Sequence, residues 1–203
     1  MQELYVADVD YEEAKRLADL TSIYQDLLYV VQSSHRLLEL LKGKSGDRTL
    51  IKSLWSAALI AYARCFKAGK RFGLSENIFK GLPGEPMKAH QYYINLRDKL
   101  VAHSVNPFEQ TKVGLLLSNP TEPERKVLGV FPVHMELTVS DADGVGTLLR
   151  LADFARRKVA EQAKEQETKV LEKGKTLPID KLYSKPRLQM RAPGPEDAGR
   201  ARK

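Results

Sequence analysis

Apolar residues recur at helical spacing through the first hundred positions of this chain. Leu17, Leu20, Tyr24, Leu27, Val31, Leu38 and Leu41 stand three, four or seven apart. Near-heptad spacing of this kind predicts a long bundle or coiled-coil helix. Asp10 is placed to cap it, with Glu13 three residues on as in a capping box. "GKSGDR", Gly43 to Arg48, interrupts the pattern, and Asp47 is a plausible cap for a second helix. That helix carries "LWSAALIAYARCF" and should stop near Gly69. It is apolar on most faces and rich in alanine, which marks it as the central, closely packed element. A possible short helix from Ser75 and the turn-forming "GLPGEP" follow. Pro86 suits the first position of a third helix, which should run to about Ser104 before Asn106-Pro107 ends it.

The texture then changes. "TKVGLLLSN" and "VLGVFPVHMELTV" flank "PTEPER", and Val133, Met135, Leu137 and Val139 alternate with His134, Glu136 and Thr138. Period two predicts a β-hairpin at about 111–139, packed on the bundle by one face. Ser140 and Asp141 open a last long helix with Val145, Leu148, Ala152, Ala155 and Val159 on one side. Its continuation, "EQAKEQETKVLEK", is mostly charged and is expected to project into solvent. From Gly174 onward Pro, Gly and charges dominate without periodicity, which predicts a disordered tail over 174–203. The expected fold is therefore mainly α: a bundle of about four long helices over 1–173, with a hairpin inserted before the last.

Composition refines this picture more than it changes it. The chain has 203 residues, 42% hydrophobic and 29% charged, enough for one domain with a real core and an appendage. The longest apolar stretch, Leu54 to Ala63, is about half of what a bilayer span needs. The acidic start, "MQELYVADVDYEE", has no apolar signal region, so no membrane association is expected. Cys65 is the only cysteine, and a reducing, cytoplasmic setting follows as the expectation. The net charge of +7 is uneven: residues 174–203 hold eight Lys/Arg against Asp180, Glu196 and Asp197. The body is nearly neutral and the tail basic. Such a tail suits RNA, DNA or an acidic partner, and equally a solubilising end.

One residue breaks the pattern. On a helical wheel of the third helix, Arg97 falls inside the apolar arc, between Tyr93 and Val101. Asp98, Gln91, Asn95, Lys88 and Lys99 collect on the far side, while His103 lies at the arc's other edge. An unpaired buried guanidinium is very costly, so Arg97 needs a counter-charge, a wet cavity or a ligand. One reading is an internal salt bridge, for instance to an acid on helix one. The other is a polar pocket shared with His103 between helices or subunits. Arginine is the forked donor for phosphate, and histidine moves protons near neutral pH.

Arg97, then Asp98, four residues, then His103, in the last turn of a bundle helix, resembles the HEPN superfamily. "RDKLVAHS" fits that superfamily's arginine–polar–histidine signature at all three key positions. The resemblance covers the motif and, more loosely, the bundle from about residue 10 to 165. It implies a homodimer whose motifs meet across the interface, without a cofactor. It further implies a metal-independent endoribonuclease of a toxin–antitoxin, abortive-infection or other defence system, with a cognate antitoxin or regulatory protein as a possible partner. Arg97 would then hold the scissile phosphate, Asp98 would orient, and His103 would act on the 2′-hydroxyl or the leaving 5′-oxygen. The products would carry 2′,3′-cyclic phosphate ends. Members that have lost catalysis bind RNA, nucleotides or proteins instead. A helical scaffold with a basic nucleic-acid-binding tail is a further alternative.

Other residues carry weaker signals. Arg64 interrupts the buried-looking second helix and is either a second phosphate contact or a helix-end salt bridge. Tyr92 and Tyr93 suit base stacking or core packing. Lys67, Lys70 and Arg71 form a cluster that either steers RNA or decorates a solvated loop. His90 is explained as well by a local hydrogen bond as by the pocket, His134 reads as exposed, and Cys65 as a small core residue. The four histidines, His35, His90, His103 and His134, are far apart, and no HExxH or paired-cysteine spacing occurs, so no metal site is expected.

Overall fold

The computed structural model describes residues 4–43, 46–67, 69–102, 109–121, 123–136, 139, 141–197 and 199. Its elements are α1 (Glu12–Lys42), α2 (Arg48–Phe66), a 3-10 turn (Glu76–Phe79), α3 (Pro86–Ala102), β1 (Glu109–Leu117), β2 (Val127–Glu136), α4 (Ala142–Thr176) and α5 (Ile179–Tyr183). The fold is mainly α: four long helices with an antiparallel hairpin between α3 and α4.

The helical stripes meet as the spacing requires. Leu20, Ile23, Leu27 and Val30 of α1 are buried against Val145, Leu148, Ala152, Ala155 and Val159 of α4, and this is the most extensive helix pair. Small residues on α4 let the two axes approach closely. From α2, Trp55, Ala58, Leu59, Tyr62 and Cys65 are fully buried, in keeping with a central helix. Burial pushes the Cys65 thiol up to about 12, and it donates to the Ala61 carbonyl, so it behaves as a small apolar group. Asp47 caps α2 by accepting from the Leu50 amide at 2.9 Å, and Asp141 caps α4 by accepting from Gly144 at 2.8 Å.

Four expectations need correction. First, Asp10 does not cap α1. Tyr11 holds that position without a side-chain cap, because its hydroxyl donates to the Val170 carbonyl of α4 at 2.9 Å and sets where α1 begins. Asp10 instead accepts from Lys185 Nζ at 3.0 Å. Second, the charged end of α4 does not simply project: Gln166 Nε2 donates to the Glu13 carbonyl at 3.1 Å. Third, residues 174–197 are structured, with α5, a bridge between Ala7 and Arg187, and amide bonds Asp8→Pro186 and Leu188→Val6, both 2.8 Å. Backbone pairing with the N-terminal segment orders a stretch whose composition carries no such signal.

Fourth, the hairpin is not packed on the bundle. Nearly every residue of β1 and β2 is exposed, on both faces. Alternation reports that a face is apolar; it does not report what covers it. The base of the hairpin is tied to α2 by the Lys52–Glu136 ion pair, and the strands extend away from there. Leu137, Thr138 and Ser140 lie outside the described residues.

Candidate functional site

The inner face of α3 is built from His90, Tyr93 and Leu96, all buried. His90 Nδ1 lies 2.9 Å from the Tyr62 hydroxyl, with Phe66 and Phe79 tilted against the ring and stacked on each other. Burial lowers its pKa, so it stays neutral and serves the core. Tyr93 lies edge-on to Trp55 and donates to the Gly144 carbonyl at 2.6 Å. With its ring in the core it has no face to offer a base. Tyr93 as a stacking residue is therefore corrected to a packing residue that joins α3 to the start of α4.

Arg97 follows one turn later, at the edge of this buried face, with its side chain 26% exposed. Its Nη1 donates to Asp98 Oδ1 at 2.6 Å, and its Nε is buried with no hydrogen-bond partner among the described residues. Asp98 also accepts from Lys67 Nζ, at 2.8 and 3.1 Å to its two oxygens. The hydrogen bonds from Lys67 and then Arg97 hold the Asp98 carboxyl below the ordinary carboxylate range. It is thus a fixed anion at neutral pH, and it draws the guanidinium round the helix toward the end of α2. His103 lies outside the described residues, one position beyond the last described turn of α3.

Lys67 sits at the end of α2 and belongs to two groups at once. Besides Asp98, it rims a shallow depression of about 410 Å³ shared with Ser22, Asp26, Arg64, Lys70 and Arg71. At its floor Asp26 of α1 is buried and ion-paired twice. Arg64 donates through Nε at 2.9 Å and through Nη2, and Arg71 Nη1 donates at 3.0 Å. Arg71 also donates to Ser22 Oγ at 2.8 Å and to the Arg64 carbonyl at 3.1 Å. Arg64 and Arg71 are therefore partnered in the protein, through a carboxylate on α1. Arg64 keeps 58% of its side chain exposed and can still present an Nη edge outward. Five cations, Arg64, Lys67, Lys70, Arg71 and Arg97, thus gather round two carboxylates, Asp26 and Asp98. An excess of guanidinium and ammonium on one surface favours a polyanion.

The structure therefore brings together Arg97, Asp98, Arg64, Lys70 and Arg71 through Lys67, and separates Tyr93 from them. Asp26 and Ser22 were not singled out from the sequence. The signal was available, since Asp26 falls three residues after Ile23 and four before Val30 on the buried stripe. A carboxylate there requires a cation from a facing helix.

Among the described residues, one group of metal-ligating type lies elsewhere, at the base of the hairpin. Ligand atoms of Glu109, His134 and Glu136 lie within 4.8 Å of one another. Thr111 Oγ1 lies 2.8 Å from His134 Nδ1, and Lys52 is bonded to Glu136. A lysine already neutralises one of the three ligands, which does not fit a resident cation.

Comparison with protein-family models, with curated proteins and with solved structures finds no match to this chain. No helix among the described residues is long and apolar enough to cross a membrane.

Proposed function

We propose that this chain is a metal-independent endoribonuclease of the HEPN type, acting as a toxin or defence effector through a composite Arg/His site at a homodimer interface. The observation that carries the reading is Arg97: a half-buried guanidinium whose Nε has no partner among the described residues, braced by an anionic Asp98, on the rim of a cationic surface. A phosphodiester can meet the exposed edge of this guanidinium, and Arg64, Lys67 and Lys70 supply the field that draws the RNA strand in.

In this mechanism His103 of one copy takes the proton from a ribose 2′-hydroxyl. The 2′-oxygen attacks phosphorus, and the bond to the 5′-oxygen breaks. His103 of the second copy returns a proton to that oxygen, leaving a 2′,3′-cyclic phosphate and a free 5′-hydroxyl. Arg97 stabilises the charge that grows on the non-bridging oxygens, and Asp98 holds the guanidinium in register. DNA lacks the nucleophile. One observation favours the binding-module alternative: Asp98 is already engaged by both Lys67 and Arg97, a closed arrangement suited to holding a phosphate without cutting beside it.

The test is incubation of a mixed RNA pool with the protein in EDTA, wild type beside His103→Ala, with the new ends analysed chemically. Cyclic-phosphate ends from the wild type alone support the nuclease. Tight RNA binding by both without new ends supports the binding module, and equal cleavage by both removes the motif from the account.

A further inference from the structure

The hairpin exposes ten large apolar side chains, each between 48% and 69% accessible. At about 100 Å² for each whole side chain of this size, that is roughly 600 Å² of apolar surface on one arm. Monomers rarely carry patches above about 300–600 Å². A two-stranded sheet wet on both faces is also marginal by itself and needs another layer.

The register assigns the faces. Val113, Leu115 and Leu117 stand opposite Pro132, Val130 and Val127, which makes one face wholly aliphatic toward the tip. Leu116, Phe131, Val133 and Met135 lie on the other face, notched by Gly114 and Gly129. Neither face carries a charged key in its distal half that would select an unrelated partner.

We propose that the hairpin is a dimerisation arm whose occupant is a second copy of this chain. The aliphatic faces meet across a two-fold axis. One face offers about 300 Å² of apolar surface per copy, which at the roughly 65% apolar share of a homodimer interface corresponds to about 900 Å² in total, close to the roughly 1,000 Å² of a specific contact. Continuous apolar surface of this kind is characteristic of permanent homodimers rather than transient contacts. A two-fold contact also closes on itself, so the arms do not propagate into fibres. A bilayer is the poorer occupant. The tip, with Asn119, Glu124, Arg125 and Lys126, is polar, and open strand edges do not enter hydrocarbon. The inference shares with the proposed nuclease only the expectation of two copies; it rests on the arm and not on Arg97 or His103.

The experiment is sedimentation equilibrium of the full chain, wild type beside the double variant Leu115→Lys, Val130→Thr. Far-UV circular dichroism and melting confirm that the bundle is intact. A dimeric wild type and a variant whose dissociation constant rises by about a hundredfold or more are expected, since a lysine pair would face itself across the axis. Val113→Cys gives a second reading: with Cys65 buried, oxidation should yield a disulfide-linked dimer. A monomeric wild type, a variant as dimeric as the wild type, or wild-type monomers that bind phosphatidylglycerol vesicles would each overturn the proposal. An arm-mediated dimer that cuts no RNA sinks the nuclease alone. An active dimer indifferent to the arm variant sinks the arm alone.

Discussion

At the scale of single residues, the protein resolves its buried charges by pairing them unequally. Asp26 is enclosed and neutralised by two arginines, one of them, Arg71, only 15% exposed. Asp26→Asn leaves Arg71 without its anion and should cost about 2–3 kcal/mol in urea unfolding, somewhat less than a fully enclosed pair because Arg64 is wet. Arg97 is held differently, against a partly solvated neighbour, so Arg97→Ala should change stability by less than about 1 kcal/mol. A loss as large as that of Asp26→Asn would mean that Arg97 is a structural cation. His90 gives a pH signature. Its folded pKa lies below its unfolded value of 6.5, so the unfolded chain binds more protons in the window beneath 6.5. Stability is therefore complete above about pH 6.5 and falls as the pH drops through that window. His90→Phe should flatten this limb of a melting-temperature profile, while the loss at more acidic pH, as Asp98 is protonated below the ordinary carboxylate range, should remain.

At the scale of elements, what was legible in the sequence was what is local. The stripes of α1 and α4, the Asp47 and Asp141 caps and the Pro86 start depend on residues within a turn or two of each other, and the structure has them. What escaped depends on partners far along the chain. Tyr11 displaces Asp10 as the cap because of a carbonyl on α4, and Asp26 claims Arg64 across two helices. The tail is ordered by an N-terminal segment of no marked pattern. The hairpin shows the same limit most clearly. Period two and the apolar composition were correct for the strands, yet among the described residues nearly every position on both faces is exposed. A consequence follows for stability. Replacing residues 109–136 with a short Gly/Ser linker should leave helicity and melting temperature almost unchanged, because the arm contributes nothing to the core. A collapse of the bundle in thermal unfolding would show that the arm is needed within one chain.

At the scale of the whole molecule, the two features left unexplained by folding lie at successive points of the chain. α3 ends beside the cationic surface, and β1 begins a few residues later. A chain needing only to fold has little use for an apolar arm in water or for a guanidinium nitrogen with no partner among the described residues. A two-copy enzyme acting on a polyanion has a use for both. The candidate site was legible to the extent that a wheel picked out Arg97, the arginine–polar–histidine pattern Asp98, and a run of basic residues the Lys67, Lys70 and Arg71 cluster. Their convergence through Lys67 was not, since it depends on where α2 ends relative to α3. The central claim is that Arg97 clamps the phosphate at which RNA is cut without metal. The most direct measurement is the single-turnover cleavage rate of RNA in EDTA for wild type, Arg97→Ala and Arg97→Lys. The account predicts metal-free cleavage by the wild type, slowed about a hundredfold or more by Ala and little restored by Lys, whose point charge cannot make the forked contact. Cleavage at the wild-type rate by Arg97→Ala would contradict it.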